Sequence, residues 1–443
     1  MFRTVVDGFS PLKLPNFRMY ISGQAVSLIG TWLQITAQSW VVWELSHSET
    51  ALGVVAMLGA LPTLLFGPWA GVLADRLNRR FLLIFTQVGM MLLAFSLALL
   101  VQLKIIQLWH VYTISGILGI FAALDFPTQQ AFLGDLSGMA EVRKAVNMNS
   151  MFFQASRMVG PALAGWVIGR WGVTITFWIN GASFLAVIGS LLFVRAHQVR
   201  RRVTNNSVLG DLWEGMHFLR GQPRMQDLLT LSIGMAVLAI SIMNLMPAFA
   251  SEVLGGNAST LGSLLAAAGA GALTSVVILM PLAQARQHIG MLMCLAMIWA
   301  GVWFLGLSMV HGLPLAMLCL FAVNFSLPLV LAMSMGLIQL LTPGEMRARV
   351  ISLFTMVSFG LQPLGALLMG GVAERFGVAS TVAVNGTLLM ILGLGMLFLR
   401  QGLRQWQVHA AVTAATENMA PAVGMELPVP IMDAGENELP EER

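Results

Sequence analysis

The sequence predicts an all-α membrane protein: twelve transmembrane helices arranged as two pseudo-symmetric bundles of six. Three observations carry that reading. Only 10% of the 443 residues are charged and 57% are hydrophobic, with a mean hydropathy of +0.80, where a soluble domain carries about 25% charge. A chain this long lacks the polar side chains to cover a water-facing surface, so lipid must be its solvent. Second, apolar segments long enough to cross about 30 Å of hydrocarbon, roughly 20 residues each, occur twelve times. Third, Gly165, Arg170, Gly172, Val173, Thr176, Asn180, Gly181, Phe193 and Arg195 recur 205 residues later as Gly370, Arg375, Gly377, Val378, Thr381, Asn385, Gly386, Phe398 and Arg400. Chance matches among apolar stretches would share leucines and alanines; shared Arg, Gly and Asn argue for a duplicated six-helix unit.

The spans are expected at Phe17–Trp43, Thr50–Ala74, Phe81–Leu103, Leu108–Gln129, Val142–Gly169 and Val173–Val194 in the first half. The second half gives Met225–Ala250, Ser259–Ala283, Ile289–Val310, Leu313–Leu341, Val350–Ala373 and Val378–Leu399. The domain plan is an N-terminal bundle over residues 1–195, a central loop over 196–224, a C-terminal bundle over 225–404 and a tail over 405–443. The loop holds Arg200-Arg201-Arg202 and an amphipathic piece around Trp213–Leu219. The tail is Ala/Pro-rich, then acidic, and has no core to build.

Short loops on the cytoplasmic side of a membrane protein hold an excess of Lys and Arg. With the N-terminus inside, that side collects Arg3, Lys13, Arg18, Arg76, Arg79, Arg80, Arg143, Lys144, Arg195, Arg200, Arg201, Arg202, Arg220, Arg224, Arg286, Arg347, Arg349, Arg400 and Arg404, and the other keeps Lys104, Arg170 and Arg375. Both termini are therefore expected in the cytoplasm of a bacterium, beneath its inner membrane. Met1–Asn16 has Arg3 and Lys13 but no apolar core with a small-residue cleavage site, so the first span is expected to be retained.

Several classes are disfavoured. The arginines fall in loops and not in stripes interleaved with exposed aromatics, so no nucleic-acid partner is expected. Cys294 and Cys319 both sit in apolar stretches and read as buried thiols, and no His or Cys pair has a metal spacing. No glycine loop cradles a phosphate and no paired acids suit hydrolysis, so neither a cofactor nor an enzymatic activity is expected.

One stretch stands out. Gly71-x-x-x-Asp75-Arg76-x-x-Arg79-Arg80, between the second and third spans, places an acid and three arginines where an apolar segment ends. It resembles the loop signature of the major facilitator superfamily, and the span count, central loop and repeat extend the resemblance over nearly the whole chain. Asn16-Phe17-Arg18, Ser27-Leu28-Ile29-Gly30-Thr31-Trp32, Asp125-x-Pro127 and Arg157–Gly165 are similar to the branch of siderophore exporters and bacterial drug efflux proteins. In the second half the signature has decayed to Gln284-Ala285-Arg286-Gln287-His288, without the acid.

Gly71 lets its helix approach a neighbour closely, and Asp75 at the membrane edge can meet the positive end of another helix. The resemblance implies that this is the eleventh, starting near Arg347 and Arg349, and that Arg79 pairs with an acid at the inner end of the fourth. Asp125 is the first candidate and Asp135 the second. Such contacts would form a gate that favours the outward-open state; the plainer reading is that these charges only anchor topology. Gly160-Pro161 is expected to kink the fifth helix, with Gly160 and Gly165 allowing tight contact between the halves. The resemblance implies that this segment seals one side against leak.

Ionisable groups inside the membrane are functional candidates by default. Arg157 can pair with Asp125, bind an anionic substrate or hold a structural network. Asp125 can exchange a proton as its surroundings change, or serve only as the partner of Arg79. Gln34, Gln38, Asn244, Asn324 and Gln362, with Trp32 as an aromatic platform, are candidates to line a substrate path; helix–helix hydrogen bonding is the alternative for each. The expected function is secondary active export of an amphipathic small molecule by alternating access, with protons as the coupling ion and a monomer sufficient. Import of a small polar metabolite, or a membrane scaffold or sensor, are the alternatives.

Overall fold

The computed structural model describes residues 10–194, 208–284, 288–400 and 402. The side chains of Gly71, Asp75 and Arg143, together with Arg3, Arg195, Arg200–Arg202, Arg286, Arg404 and the tail over 405–443, lie outside the described residues.

Helices stand at every predicted span. In the first half they are α1 (Pro15–Ser46), α2 (Glu49–Arg76) and α3 (Arg79–Gln102). A helical stretch from Leu108 to Trp171 is broken at Gly138 into α4 (108–137) and α5 (139–171), and α6 (Val173–Phe193) follows. The amphipathic connector is α7 (Val208–Arg220). The second half holds α8 (Pro223–Val253), α9 (Ala258–Ala283), α10 (Ile289–Ser308), α11 (Leu313–Leu341), α12 (Gly344–Phe376) and α13 (Val378–Leu399). Of the twelve helices other than α7, ten are long and apolar enough to cross a bilayer on composition alone. The other two, α1 and α5, fall short because they carry polar side chains inward: Gln24, Ser27, Gln34 and Thr36 on α1, Asn149 and Ser156 on α5.

Local chemistry sets the ends. Ser48 caps α2 by accepting from the Ala51 amide, and Asn78 caps α3 by accepting from Arg80 and Phe81, so orphan first-turn donors are satisfied. Gly172 and Gly377, related by the repeat, sit between α5 and α6 and between α12 and α13 with φ of 83° and 84°. That region of backbone space belongs to glycine, so each residue reverses the chain in place. Gly138, at φ 71°, does the same between α4 and α5.

The fourth span is longer than expected. Residues 130–137 continue α4 to Ser137, although hydropathy fades after Gln129. Leaving hydrocarbon removes the apolar signal without removing the helix.

Helices α1–α6 pack on one another, as do α8–α13, and the two groups meet along two antiparallel seams, α2 against α12 and α5 against α9. We call the side holding Pro15, Phe193, α7 and Leu399 the terminal face, and the opposite side the distal face. The second half differs from the first in its π-helical turns, at Met235–Ile240 and Phe249–Val253 in α8 and at Ser275–Leu279 in α9. Such turns widen a helix locally and often mark functional places.

Candidate transport site

Glycines build both seams. A Cβ on Gly165 of α5 would lie 2.9 Å from the Gly262 Cα of α9, and one on Gly262 would lie 2.5 Å from the Gly165 Cα. Across the other seam, a Cβ on Gly370 of α12 would meet the Glu49 carbonyl oxygen of α2 at 2.5 Å, and one on Gly53 would meet that of Ala366 at 2.7 Å. Small residues let helix backbones touch in lipid, where packing is the main attraction. Gly165 and Gly370 are repeat mates, so each half presses the same glycine against the second helix of the other.

Gly160 behaves differently from expectation. A Cβ there would meet the Trp32 Cβ at 2.3 Å, within the first half. Its repeat mate Gly365 likewise faces Ser241 of α8 in the second half. The glycines that join the halves lie one to two turns further along, nearer the distal face. Pro161 is buried inside α5, and its carbonyl oxygen faces Gly262; the non-helical backbone of the α4–α5 stretch is at Gly138 and not at the proline.

Polar contacts reinforce the distal end. Glu374 Oε2 accepts the Ser48 hydroxyl at 2.9 Å and the Thr50 amide at 3.2 Å, linking the end of α12 to the start of α2. Sequence reasoning missed this residue. An acid in the last turn of a span was the available signal, but its partner lies 326 residues away.

At the terminal face, Arg79 is buried and donates from one nitrogen to both oxygens of Asp135, at 2.8 and 2.9 Å. This corrects the pairing expected with Asp125. Because α4 runs to Ser137, Asp135 stands at its end, while Asp125 lies about three turns deeper. Arg76 is exposed, and Arg80 donates to the Leu192 carbonyl. Arg347 is exposed and approaches the Thr342 carbonyl, and Arg349 pairs with Glu214 of α7.

Asp125 Oδ1 accepts from the Thr86 hydroxyl at 2.5 Å and from the Gln87 amide at 3.0 Å. No cation lies within ion-pair distance of it among the described residues, so pairing with Arg157 is absent too. Nearby, the Gln129 amide donates to the buried Tyr20 hydroxyl at 3.3 Å. Among the described residues only neutral groups hold this carboxyl.

Arg157 sits midway along α5 with its Cζ 5.8 Å from the centre of the Trp32 ring. Phe153 meets the same ring edge-on at 5.7 Å. The Arg157 backbone carbonyl faces Gly269 of α9, so this group stands at the seam between halves.

The polar candidates divide. Gln34 is buried and accepts from the Asn180 amide at 2.6 Å, joining α1 to α6. Asn324 is buried and donates to the Leu320 carbonyl of its own helix. Both side chains are engaged in hydrogen bonds within their own half, the alternative the sequence left open for each. Gln38 donates to Ser115 of α4 at 2.7 Å, Asn244 donates weakly to the Ser241 carbonyl at 3.3 Å, and Gln362 lends its backbone carbonyl to the Ser241 hydroxyl. The side chains of Asn244 and Gln362 remain partly exposed.

Two six-helix groups meeting along paired antiparallel seams, with ionisable groups at mid-depth, define a multi-pass membrane transporter of the major facilitator superfamily. The chain belongs to the family of transmembrane secretion effectors, which matches residues 6–429. It is 27% identical over 84% of its length to the uncharacterized MFS-type transporter YfiS of Bacillus subtilis, covering 90% of that protein. The staphyloferrin A transporter of Staphylococcus aureus is 23% identical over 87% of this chain and 97% of its own. The enterobactin exporter EntS of Escherichia coli O1:K1 is 24% identical over 90% and 96%. In fold the chain is similar to the nucleoside transporter NupG, with a TM-score of 0.68 at 14% identity over 87% of this chain and 98% of that one.

Proposed function

We propose that the chain is a proton-coupled exporter that moves an amphipathic small molecule, drug-like or siderophore-like, out across the bacterial cytoplasmic membrane by alternating access. The names of its relatives support export, since they include transporters of staphyloferrin A and enterobactin and a multidrug efflux pump. The excess of arginine on the terminal face supports a cytoplasmic placement of that face and of both termini. The glycine contacts of Gly165, Gly262, Gly370 and Gly53 and the Glu374–Ser48 bond join the halves in the distal part of both seams, which fits a state closed to the outside. Rocking of one six-helix half against the other would then open that side. Asp75, at the end of α2, would latch the terminal side in the opposite state.

The observation that carries proton coupling is the Asp125 carboxyl, placed inside the first half and held, among the described residues, by neutral donors. A carboxyl without a counter-ion in a low-dielectric setting can take up a proton at modest cost, and a change in its surroundings can release it. The test is expression in a strain lacking efflux pumps, screened against toxic compounds and siderophores, followed by transport of the active compound in proteoliposomes. Asp125→Asn is expected to preserve substrate exchange down a gradient and to abolish uphill transport driven by an imposed pH gradient. Uphill transport that persists in this variant removes the proton role.

A further inference from the structure

Arginine keeps its charge at any ordinary pH, and a charge within a bilayer is costly unless paired or solvated. The Arg157 guanidinium is partly buried at mid-depth, yet among the described residues no carboxylate, carbonyl or hydroxyl lies within hydrogen-bond or ion-pair distance of it. It lies over the face of Trp32 instead. A ring face attracts the charge but accepts no conventional hydrogen bond, so all five N–H donors are left unused. The two carboxylates that might have compensated are engaged elsewhere: Asp125 with Thr86 and Gln87, Asp135 with Arg79.

The neighbours are suited to a ligand. Trp32 and Phe153 offer aromatic surface beside the guanidinium, and Phe153 is 44% exposed. The group lies where α1 and α5 of one half approach α9 of the other, a contact that must change if the halves rock. A planar guanidinium presents a fork that matches a carboxylate or phosphate in two parallel hydrogen bonds.

We infer that Arg157 and Trp32 form the recognition point for an amphipathic organic anion, with the acid on the guanidinium and an aromatic or apolar body against Trp32 and Phe153. This rests on the exporter reading for its setting and adds the charge of the substrate. A neutral amide of the same shape cannot supply the missing counter-charge, so a carboxylate and its amide are the discriminating pair.

The experiment measures binding of 2-naphthoate and 2-naphthamide to the full chain in nanodiscs by equilibrium dialysis. The wild type is expected to bind the carboxylate at least about tenfold more tightly than the amide. Arg157→Gln should bring the carboxylate down to the amide's affinity and leave the amide unchanged. Arg157→Lys keeps the charge without the fork, and is expected to weaken the carboxylate alone by several fold; it serves as the test if the glutamine variant fails to fold. Trp32→Leu should weaken both ligands. Equal binding of the pair by the wild type, discrimination that survives Arg157→Gln, or no saturable binding of the carboxylate would each overturn the inference. Absence of uphill export with this discrimination intact sinks the exporter reading alone, while uphill export with no preference for the anion sinks the anion-recognition inference alone.

Discussion

Glu374, in the last turn of α12, accepts hydrogen bonds from the Ser48 hydroxyl and the Thr50 amide at the first turn of α2, in the opposite half. Ser48 already caps α2 through the Ala51 amide, and the carboxylate adds a negative charge where the helix dipole is positive. Because α2 and α12 run antiparallel, each offers the end of its own helix to the start of the other. Asp75 occupies the matching place in the last turn of α2, toward the end of the seam where α12 begins at Gly344.

Removing the distal acid should loosen that closure. Glu374→Ala deletes a cap worth about 1 kcal/mol, so the equilibrium should move about fivefold toward a distally open state. Spin labels placed across the α2–α12 seam would report this as growth of the longer-distance population. An unchanged distance distribution would mean that the contact does not bias the two states.

The glycine seam should be less forgiving. Gly262→Val puts side-chain atoms where the Gly165 Cα now stands, and overpacking of this kind costs about 1–3 kcal/mol. The strain falls only on the distally closed state, so the variant is expected to insert and fold while transport stops. Labelling of cysteines introduced near the distal ends of α5 and α9 should rise.

Arg79 and Asp135 form a buried pair, each with a side chain 5% exposed. Deleting one partner of such a pair strands the other and costs about 3–5 kcal/mol. Arg79→Met and Asp135→Leu alone should therefore each lower the melting temperature in detergent strongly, and together less than their sum. Additive losses would show that the two side chains act independently.

Gln34 gives a contrasting expectation. Its hydrogen bond to Asn180 joins α1 to α6, and interhelical bonds in lipid contribute about 0.6–2 kcal/mol. Gln34→Leu should lower thermal stability by that order and leave the relative transport of different substrates unchanged. A changed substrate profile would return Gln34 to the translocation path.

The sequence made the helix count, the halves and the duplicated glycines legible, because lipid imposes a length on every span and because a repeat preserves unlike residues such as Gly165 and Gly370 in register. Partners were less legible. Asp125 was favoured over Asp135 because hydropathy ends α4 at Gln129, whereas the helix leaves the hydrocarbon and continues to Ser137. Gln34 and Asn324 keep two readings in the sequence, path lining or helix–helix hydrogen bonding, because a one-dimensional reading cannot tell a polar side chain facing a path from one facing a neighbouring helix. Glu374 escaped notice for a related reason: its partners belong to the other half, and nothing local to its own helix points to them.

The connector α7 follows the first half in chain order but is fastened to the second, through the Glu214–Arg349 ion pair and the close approach of Gly215 to the Arg349 carbonyl. Severing the polypeptide between residues 195 and 207 would thus leave α7 riding with α12. Fragments 1–200 and 201–443, made as separate chains in one cell, would each keep the surfaces needed to reassemble. The two fragments are therefore expected to restore transport when made together and not when either is made alone.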